Sequence, residues 1–239
     1  MTLPLVARRE APLKALAGEI AVTGGKRPAV LPIDLSCIEG PQLLAEELTK
    51  KGWEPAILVN SAGFGLRARA ADADRVQQLA IVDLNVRALT DLSLRWIGAM
   101  ERHRGGIINV ASVASFFPGP EMAVYYASKS YVLSFSEALH QELAPFRVKV
   151  TALCPGPVPT EFHARAGISA RRLPRRLVRS AERVARDGYE GFIRGQRVVI
   201  PGFANKMVTA LPRLIPRSLM LFLGERNQLP PSDEEPGAQ

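Results

Sequence analysis

Short apolar runs alternate with longer stretches of helical spacing along this chain, and the alternation predicts a doubly wound α/β fold on a parallel sheet. Two further observations agree. The short runs are β-branched or apolar on both faces, as strands covered by helices on both sides require. Residues able to do polar chemistry also gather at the carboxyl ends of successive runs, where ligands sit in open sheets of this kind. Composition permits such a fold. The 239 residues are 47% hydrophobic and 23% charged, enough for one domain with a substantial core. A disordered, collagen-like or small disulfide-stapled chain is excluded.

The strands fall near residues 4–7, 29–33, 56–60, 107–111, 148–153 and 198–200. Between the first two, Leu13, Leu16, Ala17 and Ile20 keep helical spacing. Leu43, Leu44, Glu47 and Leu48 do so next, opposite a polar face. Val76, Leu79, Ala80, Asp83 and Leu84 open a helical region reaching about His103. Tyr125, Lys129, Val132, Leu133 and Ser136 belong to another helix that ends near Pro145. Ser180 reads as an N-cap, with Val184, Gly188, Tyr189 and Phe192 on one face behind it. Right-handed crossovers join the strands. No repeat of solenoid period is present. Residues 1–224 read as one domain with a lid over residues 161–195. Residues 225–239 carry three prolines and four acids and read as a disordered tail.

The formal net charge is +8. From Glu161 onward there are 14 Lys and Arg against 8 Asp and Glu, so most of the excess is local. Residues 164–186 hold eight arginines and one acid, Glu182. They lack interleaved aromatics and a nucleic-acid motif, so the partner expected is a small molecule, not a nucleic acid. No apolar run approaches the roughly 20 residues needed to span a bilayer, and no signal peptide opens the chain. Cys37 and Cys154 read as buried free thiols of a reducing compartment. His103, His140 and His163 show no metal-ligand spacing, and no metal is expected.

Tyr125 and Lys129 are four apart on a helix and share a face. A free tyrosine has a pKa of about 10. A neighbouring ammonium favours the phenolate and lowers that value, so the pair can act as a general acid or base. Spacing alone does not separate this from a surface pair. Position does. Ser112 follows the strand 107–111 and stands thirteen residues before Tyr125, placed to hold a carbonyl oxygen. Asn60-Ser-Ala-Gly63 closes the strand before it, and Asn85 lies in the helix after that. Pro155-Gly-Pro-Val-Pro-Thr160 closes the strand behind.

With these motifs in this order, residues 3–217 resemble the short-chain dehydrogenase/reductase family. The resemblance implies a three-layer Rossmann-type fold and an oxidoreductase that moves hydride between a nicotinamide and a carbonyl or alcohol. It implies that Tyr125 is the acid/base and that Lys129 lowers its pKa and binds the nicotinamide ribose. Ser112 would orient the substrate, and Asn85 would hold a relay water. Asn60, Ala62 and Gly63 match the family's element beside the adenosine, with Ser61 replacing its second Asn. Asp34 matches the acid at the adenine ring. Pro155, Gly156 and Thr160 match the loop over the nicotinamide. The resemblance further implies a cytoplasmic homodimer or homotetramer. Arg8 and Arg9 follow the strand where such folds choose their cofactor, and guanidinium groups suit the 2′-phosphate of NADP.

One family element is missing. The strand–turn–helix unit with Thr-Gly-x-x-x-Gly-x-Gly, whose backbone meets the pyrophosphate, has no counterpart. Thr23-Gly24-Gly25 follows a helix and lacks the later glycines. Such a unit is central to the sheet, so either its neighbours close up or the sheet is weakened. Three readings fit: a natural chain that is longer, a fragment or pseudogene product, or a non-catalytic relative kept for binding or scaffolding. Downstream, Phe162, Ile168, Leu173, Leu177 and Val178 suit a lipophilic ketone or acyl group. Arg171, Arg172, Arg175, Arg176 and Arg179 read as a solvated lid, with a phosphate or an acidic carrier protein as the alternative partner. Leu219–Leu223 is an apolar run suited to packing.

Overall fold

The computed structural model describes residues 2–168, 175–211 and 221 of the chain. The expected tail, the run 219–223 apart from Leu221, and Arg171, Arg172 and Leu173 lie outside the described residues. In chain order come β1 (Pro4–Val6), α1 (Glu10–Val22), β2 (Ala29–Leu31), α2 (Gly40–Lys50) and β3 (Ile57–Asn60). Then follow α3 (Arg75–Val82), a π-helical turn (Asp83–Ala88), α4 (Leu89–Arg95), α5 (Ile97–His103) and β4 (Gly106–Val110). A 3₁₀ turn (Val113–Phe116) leads to α6 (Ala123–Leu143), which ends in a second 3₁₀ turn (Ala144–Phe146) containing Pro145. β5 (Lys149–Leu153), α7 (Glu161–Arg165), α8 (Ala181–Ile193), β6 (Val198–Val199) and α9 (Phe203–Ala210) complete it.

All strand pairs are parallel. β4 is paired on both edges, and its side chains alternate between two helical layers. Ile107 packs with Val150 against Leu139 and Leu143 of α6. Ile108 points the other way, with Leu153 and Val199, against Val184 and Phe192 of α8. This is the three-layer doubly wound, Rossmann-like architecture that the strand–helix alternation predicts. α8 begins behind Ser180, whose hydroxyl accepts from the Arg183 N–H. Its expected apolar face holds for Val184, Gly188 and Phe192. Tyr189 is 57% exposed instead, because it steps off that face toward the rim. Cys154 is buried, but Cys37 is exposed, in the polar turn that leads into α2.

The sheet is divided. β1 pairs with β2, and β3-β4-β5-β6 form a second ladder, with no hydrogen bonds between β1 and β3 among the described residues. Of the two outcomes expected for a missing central strand, the neighbours do not close up. Both pieces still rest on one helical layer. Val6 of β1 and Leu58 of β3 pack against the same cluster of Leu44, Leu48 and Leu92. The other side of the gap is open, and Val59 of β3 is 55% exposed where its ladder partner Ile108 is 6%. Unpaired edges open to water exchange their amide protons by local opening. Hydrogen exchange is therefore expected to show β4 and β5 protected to the level of global unfolding, with β1 and β2 exchanging orders of magnitude faster. Equal protection across all six strands would contradict a divided sheet.

Candidate active site

The carboxyl end of β4 supplies Ser112. Its backbone is extended, and its side chain caps the 3₁₀ turn by accepting from the Ala114 N–H at 3.1 Å. The Ser112 N–H in turn donates to Ser115 Oγ at 3.3 Å. Ser115 Oγ also donates to the Lys129 carbonyl at 2.7 Å, which ties this turn to α6. Tyr125 and Lys129 share the buried face of α6, at 8% and 6% exposure. Ser112 and Tyr125 line one cavity, and the serine stands near enough to the phenol to favour its ionised form. The serine and tyrosine, thirteen residues apart in sequence, thus meet at one point.

Lys129 Nζ donates to the Val110 carbonyl at 2.8 Å and lies 6.0 Å from the Tyr125 ring centroid. Burial is the largest influence on the protonation of both groups. It pushes Tyr125 up to about 12, only partly offset by Ser112. Burial also brings Lys129 down to about 8. The tyrosine is boxed by Met122, Ala114 and Ala166, with Phe162 at 5.3 Å between ring centroids. Gly65 lies so close that a Cβ there would sit 2.7 Å from the ring. With so little solvent, neither group keeps a charge easily.

Asn85 sits in the π-helical turn, a distortion that often marks a functional site. It is 0% exposed. Its amide embraces the Phe64 backbone, accepting from N–H at 3.1 Å and donating to the carbonyl at 3.0 Å. It donates also to Ser128 Oγ at 3.0 Å, and Ser128 donates to the Tyr125 carbonyl at 2.7 Å. Its side chain thus braces the loop after β3 against α6. Asn60 is likewise turned inward, donating to Ser93 Oγ at 3.0 Å and Asn109 Oδ1 at 2.8 Å.

A cavity of about 720 Å³ opens in front of these groups. Gly63, Ser112, Tyr125, Lys129, Pro155, Gly156 and Thr160 line it, as do the apolar Val110, Leu153, Phe162, Ile168 and Val184. Arg8, Arg9, Asp34, Asn60, Ala62 and Asn85 do not. Thr160 caps α7, accepting from the Phe162 N–H at 3.3 Å. Arg8 and Asp34 meet each other at 3.7 Å. Burial acts to raise the Asp34 carboxyl, but its bonds from the Ser36 hydroxyl and N–H, with Arg8, outweigh that and hold it low. Arg9 reaches Glu161 at the start of α7, an exposed pair worth little in water. Both arginines expected at a phosphate are engaged with carboxylates.

Sequence reading missed Asn109, Ser128 and Asn205. Asn109 carried a usable signal, since a polar residue inside an apolar strand implies a buried partner. Its amide donates to Ser136 Oγ of α6 at 3.0 Å. Among the described residues no three His, Cys, Asp or Glu cluster as metal ligands, and no helix is long and apolar enough to cross a membrane.

A doubly wound parallel α/β domain with serine, tyrosine and lysine gathered at its strand ends has the frame of a Rossmann-type oxidoreductase. Residues 1–169 match the short chain dehydrogenase family, and the chain belongs to that family. It is 34% identical over 165 residues to the probable oxidoreductase EphD of Mycobacterium tuberculosis, covering 67% of this chain and 27% of that protein. It is 32% identical over 164 residues to sulfoacetaldehyde reductase 2 of Chromohalobacter salexigens, covering 67% and 64%. The chain therefore spans about a quarter of the length of the mycobacterial relative. A short-chain dehydrogenase from Sphingobium yanoikuyae in complex with NADPH superposes with a TM-score of 0.76 at 26% identity, over 98% of this chain and 89% of that one.

The shifted groups predict a pH signature. Between pH 8 and 10.5 the unfolded state holds a proton on lysine that native Lys129 has shed, so stability rises with pH, by at most about 1.4 kcal/mol per unit. From pH 9 upward buried Cys154, pushed up to about 12, stays protonated while its unfolded thiol ionises, which cancels the rise from Lys129. Tyr125 turns stability down above pH 10. Denaturant melts are expected to level off between about pH 9 and 10 and to fall above about pH 10. Lys129→Met should abolish the rise between pH 8 and 9; an unchanged profile would show that Lys129 is not the group titrating.

Proposed function

We propose that this chain is an NADP(H)-dependent oxidoreductase acting on the carbonyl or alcohol of a lipophilic small molecule, with Tyr125 as acid/base. The observation that carries the reading is the convergence of Ser112, Tyr125 and Lys129 on the wall of one apolar cavity. The cavity suits the nicotinamide half of such a cofactor. Lys129 lines it, and Gly63 and Gly156 present bare backbone there. A Cβ at Gly63 would come within 3.4 Å of Lys129 Nζ. The cofactor, when bound, supplies or accepts the hydride.

The protein's own groups handle the oxygen. A tyrosine with a pKa of about 12 is protonated at neutral pH, the state needed to donate in the reducing direction. Ser112 holds the substrate oxygen beside it, and the Tyr125 proton passes to that oxygen as the alcohol forms. A cationic Lys129 would stabilise the phenolate left behind. Phe117, Met122, Phe162 and Ile168 give the substrate end an apolar lining, consistent with a lipophilic ketone. On this reading Arg8 and Arg9 exchange their carboxylates for a 2′-phosphate, which offers the better fork partner.

Two measurements test this. Tyr125→Phe is expected to lower kcat/KM for ketone reduction by about 10²–10⁴ and to leave NADPH affinity unchanged; undiminished turnover would remove Tyr125 from the chemistry. Arg9→Ala is expected to weaken NADPH binding about tenfold and NADH binding not at all. Equal loss for both would sink the 2′-phosphate role, and a parent chain that binds neither would leave a silent relative.

A further inference from the structure

Asn205 lies in the first turn of α9 and is 1% exposed. Its amide nitrogen donates twice, to the Leu177 carbonyl at 3.1 Å and the Pro201 carbonyl at 2.8 Å. Its amide oxygen is fully buried and has no hydrogen-bond partner among the described residues. Buried acceptors are rarely left unpaired, and each one calls for a reason. The surroundings supply it. A Cβ on Gly156 would sit 2.4 Å from that oxygen and 2.6 Å from the nitrogen. The side chain therefore fills the space directly behind Gly156, on the side of the loop away from the cavity.

Three segments converge on this one amide. The loop from Pro155 to Thr160 walls the cavity beside Tyr125 and Lys129. The segment carrying Leu177 and Arg179 is joined to that loop, since the Arg179 N–H donates to the Pro157 carbonyl at 3.2 Å. The turn at Pro201 and Gly202 comes last. Gly202 has φ +88°, and a Cβ there would lie 2.7 Å from Arg179 Nε, so the turn admits the arginine only because it is glycine. The loop at Pro155 and the turn at Pro201 follow the paired strands β5 and β6, while the Leu177 segment lies outside that ladder. Asn205 is the side chain common to them.

We propose that Asn205 is a positioning residue for the nicotinamide side of the site. Its two donated hydrogen bonds fix the Leu177 segment to the turn before α9, and its body sets how far Gly156 stands into the cavity. Its spare oxygen is an acceptor held ready for the backbone N–H of Gly156 when that loop settles against a bound dinucleotide. The loop and the lid segment then move as one unit. The assignment to cofactor rests on the oxidoreductase reading above; the coupling of the segments does not.

The experiment separates the two. Hydrogen exchange is measured on the full chain without cofactor, for the parent, for Asn205→Ala and for Thr209→Val. Thr209 is 4% exposed on the same helix, and among the described residues its hydroxyl bonds to the Lys206 carbonyl at 3.0 Å, which makes it the control for helix damage. Asn205→Ala is expected to speed exchange in residues 155–160 and 175–180 together, with β4 and β5 unchanged, and Thr209→Val in neither segment. Exchange rising in one segment alone, or equally in both variants, would overturn the coupling. With NADPH, Asn205→Ala is expected to raise the dissociation constant about tenfold with kcat at saturation held within about threefold. Faster exchange with unchanged NADPH affinity would overturn the positioning role. Should Asn205→Ala fail to fold, Gly156→Ala disturbs the same contact from the opposite side and is expected to give the same paired exchange signature. A parent chain that does not bind NADPH would count against the oxidoreductase reading, while the exchange result still decides the coupling.

Discussion

The register of α6 against β4 is the contact on which the site depends. Apolar packing of Val132 on Ala111 and of Leu139 on Ile107 presses the helix onto the sheet, but apolar contact alone tolerates sliding. Three polar contacts prevent it. Asn109 of β4 donates to Ser136, Ser115 donates to the Lys129 carbonyl, and Lys129 donates to the Val110 carbonyl. In a buried setting each such bond is costly to leave unmade. A slip of one residue would turn the helix face by about 100° and carry Tyr125 away from Ser112. Tertiary polar contacts therefore convert two residues of one helix into a site with fixed geometry.

The same burial that fixes these residues sets their protonation. Tyr125 is held in its neutral form and Lys129 is drawn toward its own. Attraction between the two is weak because the ammonium is directed at a backbone carbonyl and lies beside the ring. Desolvation outweighs a single distant charge in such a place. On the proposed oxidoreductase reading the neutral tyrosine gives the proton, and the neighbouring lysine would offset the cost of the phenolate.

The divided sheet concerns the other half of the site. β1 and β3 share a helical layer through Val6 and Leu58 yet share no ladder. Across the same region Arg9 reaches Glu161, while Arg8 reaches Asp34. Those are exposed or half-exposed contacts, readily exchanged for a stronger anion. The Tyr125 end of the cavity is built from buried, mutually braced side chains, and the region around Arg8 and Arg9 from loosely held ones. Asn205, deep under Gly156, belongs to the better-braced half.

The strand–helix order, the face shared by Tyr125 and Lys129, and the cap at Ser180 are local properties. Periodicity, spacing and side-chain oxygens near a chain turn express them directly, and the sequence alone determined them. What lay beyond it were the pairings set by distance in space. The inward turn of Asn60 onto Asn109 and Ser93, the brace from Asn85 to Phe64 and the capture of Arg9 by Glu161, 152 residues away, depend on how layers stack. So does the protonation of Tyr125, because it follows from what surrounds the hydroxyl and not from what is four residues along. Asn205 had no signal at all in its own neighbourhood. Its meaning comes from Gly156 and Leu177, which only the folded chain brings to it, because a hydrogen bond is decided by where its two ends finally meet.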